Sequence, residues 1–174
     1  MTVIKILEES SKLPIELEEI KLFLKVDYND EDNIIIRSFK TAIKQCELLI
    51  GQSLIEKKYK YSFYNEIKND LQLLYGNVKS IESVKFINKN NEETIISPNT
   101  YFLDEVNNKI IFKNKPINFY RLDIFYTAGI DFITEDLKQA ILFHTAKIFE
   151  DKLGYSPIPK ASYNIYKNYK MKRL

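Results

Sequence analysis

Residues 30–51, DEDNIIIRSFKTAIKQCELLIG, decide the fold. Ile35, Phe39, Ala42, Cys46 and Leu49 recur at the spacing of one helical face, flanked by Ile36, Ile43 and Ile50. Asp30, Glu31 and Asp32 stand where the partial positive charge of a helix N-terminus favours carboxylates. Gly51 stands where a left-handed cap belongs. The pattern predicts a helix over about residues 30–50. Three neighbouring carboxylates could also be read as a metal cluster, but the helix terminus accounts for them without an ion.

Working outward, Pro14 suits the first position of a short helix over about residues 14–23, where its missing N–H costs nothing. On the other side, from about residue 54 to 128, the period changes to two. LIEKKYKYSFY, VKSIESVKFI, EETIIS, TYFLD, KIIF and YRLDIFYTAG alternate and are rich in β-formers. NKNNE, SPN, EVNN and KNKPIN between them are turn chemistry. Five or six short antiparallel strands are expected. A third helix is predicted over about 134–153, capped by the Thr134 hydroxyl, with Glu135 and Asp136 in its first turn. Leu137, Ala140, Ile141, His144 and Ile148 form its apolar stripe, and Gly154 ends it. The fold class is therefore α+β. A small antiparallel bundle of about three helices carries an inserted antiparallel β subdomain, and an extended C-terminal tail follows. Residues 1–154 are expected to be one domain and residues 155–174 an arm.

The arm is unusual in composition. It carries Lys160, Lys167, Lys170, Lys172 and Arg173, no acidic residue, and Tyr155, Tyr163, Tyr166 and Tyr169 among the charges. Its formal charge of +5 leaves −3 for the first 154 residues of a chain whose net charge is +2. Pro157 and Pro159 separate it from the preceding helix. Fully extended it would reach roughly 60–70 Å, against a radius of gyration of about 16 Å for a folded body of this size. Ordering twenty residues costs about 30 kcal/mol, equivalent to burying about 1,200 Å² of apolar surface. The expectation is an arm with too few contacts of its own, mobile in the free chain and ordered on a partner. A frayed terminus is the plainer reading, but solvated tails are usually poor in aromatics.

Length and composition bound the rest. A chain of 174 residues with 45% hydrophobic and 13% aromatic residues has ample material for a packed core. One cysteine, Cys46, excludes an internal disulfide framework and fits a reducing compartment. The N-terminal MTVIKILEESSKLPIELEE lacks the basic start and apolar run of a signal peptide, and no window nears the length needed to span a bilayer. No membrane partner is expected.

Chemistry is sparse. His144, the only histidine, lies on the apolar stripe of the third helix, where a packed, hydrogen-bonded residue is the commoner case. Cys46 faces inward from its helix and behaves there as a small apolar side chain. The spacing leaves a Cys–His nucleophile pair open, yet nothing supplies the electropositive, exposed setting of a thiolate. Phosphate loops, nucleophile elbows and paired metal motifs are absent from the sequence. No enzyme, catalytic residue, metal or cofactor is predicted.

The order LFLKVDYNDEDNIIIRSFKTAIKQCELLIGQSL (22–54), then strands, then DIFYTAGIDFITEDLKQAILFHTAKIFEDKLG (123–154), resembles the head–tail connector, or adaptor, proteins of long-tailed phages and gene transfer agents. There a short helix ends in an L-K-V-D-like stretch, and an acid-started long helix ends near I-G-Q-S-L. A Y-T-A-G strand then returns into a helix of the P-x-D-I-K-Q-A-I type, matched here by Ile133 to Ile141. SIESVKFINKNNEETIISPNTYFLD (80–104) is similar to the strand and hairpin of some members, whereas the arm matches no family motif.

The resemblance implies a homo-oligomeric ring, typically of twelve copies, beneath the portal protein of a DNA-filled head. Such a ring completes the head, lets DNA pass, and presents a surface to a tail or stopper protein. The chain would be made in the bacterial cytoplasm, be monomeric alone, and reside at the head–tail junction of a virion or phage-like particle. The helices would serve subunit packing. Tyr155, Lys160, Tyr163, Tyr166, Lys167, Tyr169, Lys170, Lys172 and Arg173 would contact the portal. Removing residues 155–174 is expected to leave a folded body that no longer joins heads. A nucleic-acid-binding module using the same basic, Tyr-rich arm is the alternative. A small enzyme with a cleft in the β insertion is a third reading.

Overall fold

The computed structural model describes residues 2–64, 69–114, 119–151 and 156–171. The chain forms two compact units, a β unit from residues 2–10 and 55–130 and a helical unit from residues 11–54 and 131 onward.

In the β unit, β1 (Thr2–Glu9), β2 (Lys57–Tyr64), β4 (Val78–Ile87), β5 (Glu93–Ile95) and β8 (Arg121–Ala128) make an antiparallel sheet in the order β1-β2-β8-β4-β5. A smaller sheet holds β3 (Asp70–Gln72), β7 (Lys109–Phe112) and β6 (Tyr101–Asp104) in the order β3-β7-β6. Alternation in β2 sends Tyr59 and Tyr61 into the core beside Ile124 and Tyr126 of β8, with which they are in register. Tyr59 stacks between Tyr75 and Tyr126, with ring centroids 5.2 Å from each. The Tyr126 hydroxyl donates to the Leu74 carbonyl, so the buried phenol keeps its hydrogen bond. Gly129 follows β8 where the backbone of Glu56 passes. A Cβ there would lie 2.6 Å from Glu56 Cα, so only glycine fits.

One carboxylate is buried in this sheet. Asp123 accepts from Ser62 Oγ at 2.7 Å and pairs with Lys60 Nζ at 2.7 Å and Arg121 Nε at 3.0 Å. Burial opposes its ionisation, but the Lys60 and Ser62 hydrogen bonds and the two cations outweigh that and hold its pKa below the usual range.

The helical unit contains α1 (Leu17–Leu24), α2 (Asp32–Ile50), α3 (Glu135–Asp151) and α4 (Lys160–Tyr166). On α2, Ile35, Phe39, Ala42, Ile43, Cys46 and Ile50 are buried, and Gly51 adopts the left-handed cap with φ 72°. The Gly51 N–H donates to the Glu47 carbonyl, while the buried Glu47 carboxylate accepts from the Leu54 N–H at 2.7 Å. The acidic N-terminus of α2 is tied down by Lys21, whose Nζ is 2.7 Å from Asp32 Oδ1 and 2.6 Å from Asn29 Oδ1. Leu137, Ala140, Ile141, His144 and Ile148 of α3 are all buried, and α3 packs on α2.

The α+β class and the three anticipated helices stand, with three corrections. The first helix starts at Leu17 rather than beside Pro14, because Glu16 takes the extended N-cap conformation. Residues 57–128 hold seven strands among those described, not five or six, and β1 adds an eighth from the N-terminus. The expected helix end at Gly154 lies outside the described residues. The third correction concerns the arm.

Candidate docking site of the C-terminal arm

Residues 156–171 fold onto their own helical unit, which corrects the expectation of an arm without contacts. Pro159 supplies an extended N-cap, α4 follows, and a 3-10 turn spans Lys167–Tyr169. The face that turns toward α3 carries Ser162, Tyr166 and Tyr169, spaced four and three residues apart, as one helical stripe requires.

Tyr166 is fully buried. Its hydroxyl lies 3.3 Å from the Ala140 carbonyl, to which it donates, and 3.3 Å from His144 Nδ1. Ser162 Oγ donates to the same Ala140 carbonyl at 2.7 Å, and Cys46 of α2 shares a hydrogen bond with Tyr166. Burial pushes the His144 pKa down to about 4, the Ser156 backbone acting the other way. Burial pushes the Cys46 thiol and the Tyr166 phenol up. Cys46 and His144 thus meet around one tyrosine as a thiol and a neutral imidazole. A protonated thiol beside an uncharged ring is packing chemistry, not an activated nucleophile.

Tyr169 makes a second anchor. Its hydroxyl donates to Asp136 Oδ1 at 2.6 Å and lies 2.6 Å from Thr134 Oγ1, so the expected capping threonine is bonded to the arm. Those two hydroxyls, Tyr169 first, hold the Asp136 carboxyl below its usual range, while burial and then Asp136 raise the Tyr169 pKa. Gln52 Nε2 donates to the Tyr169 carbonyl at 2.5 Å, and the Met171 N–H donates to the Ile50 carbonyl at 2.7 Å. That last bond satisfies one of the carbonyls orphaned at the end of α2.

The remaining predicted contacts divide clearly. Lys160, Tyr163, Lys167 and Lys170 are exposed, with Lys167 Nζ 5.4 Å above the Tyr163 ring. Tyr166 and Tyr169 face inward. Tyr155, Lys172 and Arg173 lie outside the described residues. Sequence reasoning missed Ser162, Ala140 and Asp136 as partners, although the Ser162–Tyr166–Tyr169 spacing was a legible helical face. Among the described residues, no group of three or more His, Cys, Asp or Glu side chains is placed to hold a metal ion, and no helix is long and apolar enough to cross a membrane.

No protein-family model matches the chain, and no curated protein sequence matches it. Solved structures do. A chain in the neck of an empty GTA particle, computed with C6 symmetry, superposes with a TM-score of 0.80 at 16% identity, covering 99% of this chain and 97% of that one. A chain from the virion of a native gene transfer agent (GTA) particle gives 0.80 at 16% identity, covering 98% and 96%. A chain in the neck of a native GTA particle, computed with C12 symmetry, gives 0.77 at 17% identity, covering 98% and 97%. At such low identity the likeness establishes a shared fold, and it extends over essentially the whole length of both partners.

Proposed function

We propose that this chain is a structural adaptor of a phage-type particle, residing at the head–tail junction and forming a ring under the portal of a DNA-filled head. The observation that carries this reading is the end-to-end fold likeness to neck chains, with both units and the arm included in the 96–99% coverage. A ring needs head-to-tail contacts between identical copies, and the symmetric assemblies from which those neighbours come suit such contacts. DNA would pass through the ring, and a tail or stopper protein would bind its far side. The chemistry of the helical unit supports a non-catalytic role, since Cys46 and His144 are buried and uncharged at neutral pH.

Portal contact falls to the exposed side of the arm, namely Lys160, Tyr163, Lys167 and Lys170, with Tyr155, Lys172 and Arg173 continuing the same composition. Tyr166 and Tyr169 hold that side in place. Their commitment to α3 also weighs against the nucleic-acid reading, because only Tyr163 among the described arm tyrosines is free to stack on a base. The test is complementation of heads that lack this protein. The variant Tyr163→Ser, Lys160→Glu, Lys167→Glu, Lys170→Glu should keep the wild-type melting curve yet fail to join heads to tails. Normal joining by that variant would remove the portal role of the arm. A junction found to hold a single copy would remove the ring.

A further inference from the structure

The outer face of α2 carries a stripe that the core does not explain. Asn33, Arg37, Lys40, Lys44 and Leu48 are all exposed, at spacings of four, three, four and four residues. Together with Ile36, Thr41 and Gln45 they line a groove of about 640 Å³. The chain is rich in lysine–carboxylate pairs, yet among the described residues Arg37, Lys40 and Lys44 take part in none of them. The stripe itself carries no acidic residue. Beneath the stripe, Gln45 Nε2 is shielded from solvent and has no acceptor among the described residues. A buried amide donor left unmatched is costly. Arg37, Lys40 and Lys44 make the groove predominantly a donor surface, with Ile36 and Leu48 as apolar patches at its two ends.

The occupant must bring acceptors and an apolar ridge together. A duplex backbone offers phosphates but no ridge. The chain itself offers both on α1. Glu18 is exposed and has no cation partner among the described residues, and Leu22, one turn later on the same face, is 79% exposed. Phe143 of α3 is 49% exposed and meets Phe23 of α1 edge-on at 5.5 Å. Glu16 extends the acidic side of this surface.

We infer that the α2 groove is the socket for α1 of a second copy of this chain, with Leu22 seated against Leu48 and Glu18 and Glu16 facing Lys44 and Lys40. The inference rests on the ring reading and supplies its subunit contact. Socket and plug lie on different helices of one unit, so used head-to-tail, as a ring requires, the contact repeats from copy to copy. Cations on about 10 Å of helix against two carboxylates give steering and register more than affinity. A single contact is expected to be weak, with a dissociation constant about millimolar, so the chain is monomeric at micromolar concentration and ring closure supplies the avidity.

The test uses the full-length protein at low ionic strength, with sedimentation and zero-length carbodiimide coupling of carboxylates to amines. Intermolecular links from Glu16 or Glu18 to Lys40 or Lys44 are expected in the dimer band. The variant Arg37→Glu, Lys40→Glu, Lys44→Glu and the variant Glu16→Lys, Glu18→Lys should each lose self-association at least tenfold. An equimolar mixture of the two should recover it. Self-association through other residues, or indifferent to both reversals, overturns this interface and leaves the ring reading untouched. A wild-type chain that stays monomeric to about 1 mM also overturns it; the ring then stands or falls on copy number at the junction. Should duplex DNA, rather than the protein, be what the lysine reversals release, the socket assignment is overturned too.

Discussion

The hydroxyl of Tyr166, on the C-terminal arm, lies 3.3 Å from Nδ1 of His144 in the middle of α3. The one histidine of the chain is therefore shielded by the segment whose composition most suggests a free tail. Tyr166→Phe keeps the ring and loses the hydroxyl, for a cost of about 1 kcal/mol. Tyr166→Ala opens a cavity and should cost about 3–5 kcal/mol. Denaturant melts give the two values. Limited proteolysis should show residues 156–171 becoming cleavable only in the alanine variant.

Acid should destabilise the helical unit through the same histidine. The folded pKa of about 4 lies below the ordinary value of 6.5. His144 is thus neutral in the folded chain while the unfolded chain takes up a proton. The stability it contributes is complete above pH 6.5 and declines as pH falls toward 4, by on the order of 2 kcal/mol. Melts at pH 7 and pH 5 should differ in wild type, and His144→Gln should flatten that slope. An unchanged slope in the variant would exclude His144 as the source.

Tyr169 and Asp136 form a partnership that a titration can read. Removing the phenol with Tyr169→Phe should move the Asp136 pKa up toward the ordinary carboxylate range, because the strongest stabiliser of the ionised form is gone. Carboxyl chemical shifts followed against pH report it directly. Thr134→Val should produce a smaller change in the same direction.

Gly129→Ala tests the β unit. A methyl group 2.6 Å from Glu56 Cα and 2.8 Å from Glu56 N cannot be relieved by moving a flexible side chain, since both atoms are backbone. A loss of at least about 2 kcal/mol is expected. Thermal unfolding of the variant checks it.

Much of this was legible in the chain. Helical spacing on α2 and α3 placed Ile35, Phe39, Cys46, Leu137 and His144 in the core, where they lie. Gly51 as a left-handed cap was equally plain, because the conformation leaves few other residue types. The N-terminal strand was not, since Val3, Ile4 and Ile6 make sense only against β2, more than fifty residues away. The arm failed for a related reason. Charge and proline content described its exposed side, but what binds its inner side is a main-chain carbonyl at Ala140 and the Asp136 carboxylate. Backbone acceptors carry no trace in composition. The α2 stripe is not legible in the sequence, because lysines on a helix exterior are ordinary until their neighbours in space are known.

The bond from the Met171 N–H to the Ile50 carbonyl has a consequence for biosynthesis. The ribosome releases α2 long before the segment that will finish its C-terminal end. Copies cut short by a nick or an early stop before Tyr166 would emerge with an open hole beside His144 and a ragged helix terminus. Quality-control proteases are expected to cut such copies faster than the full-length chain.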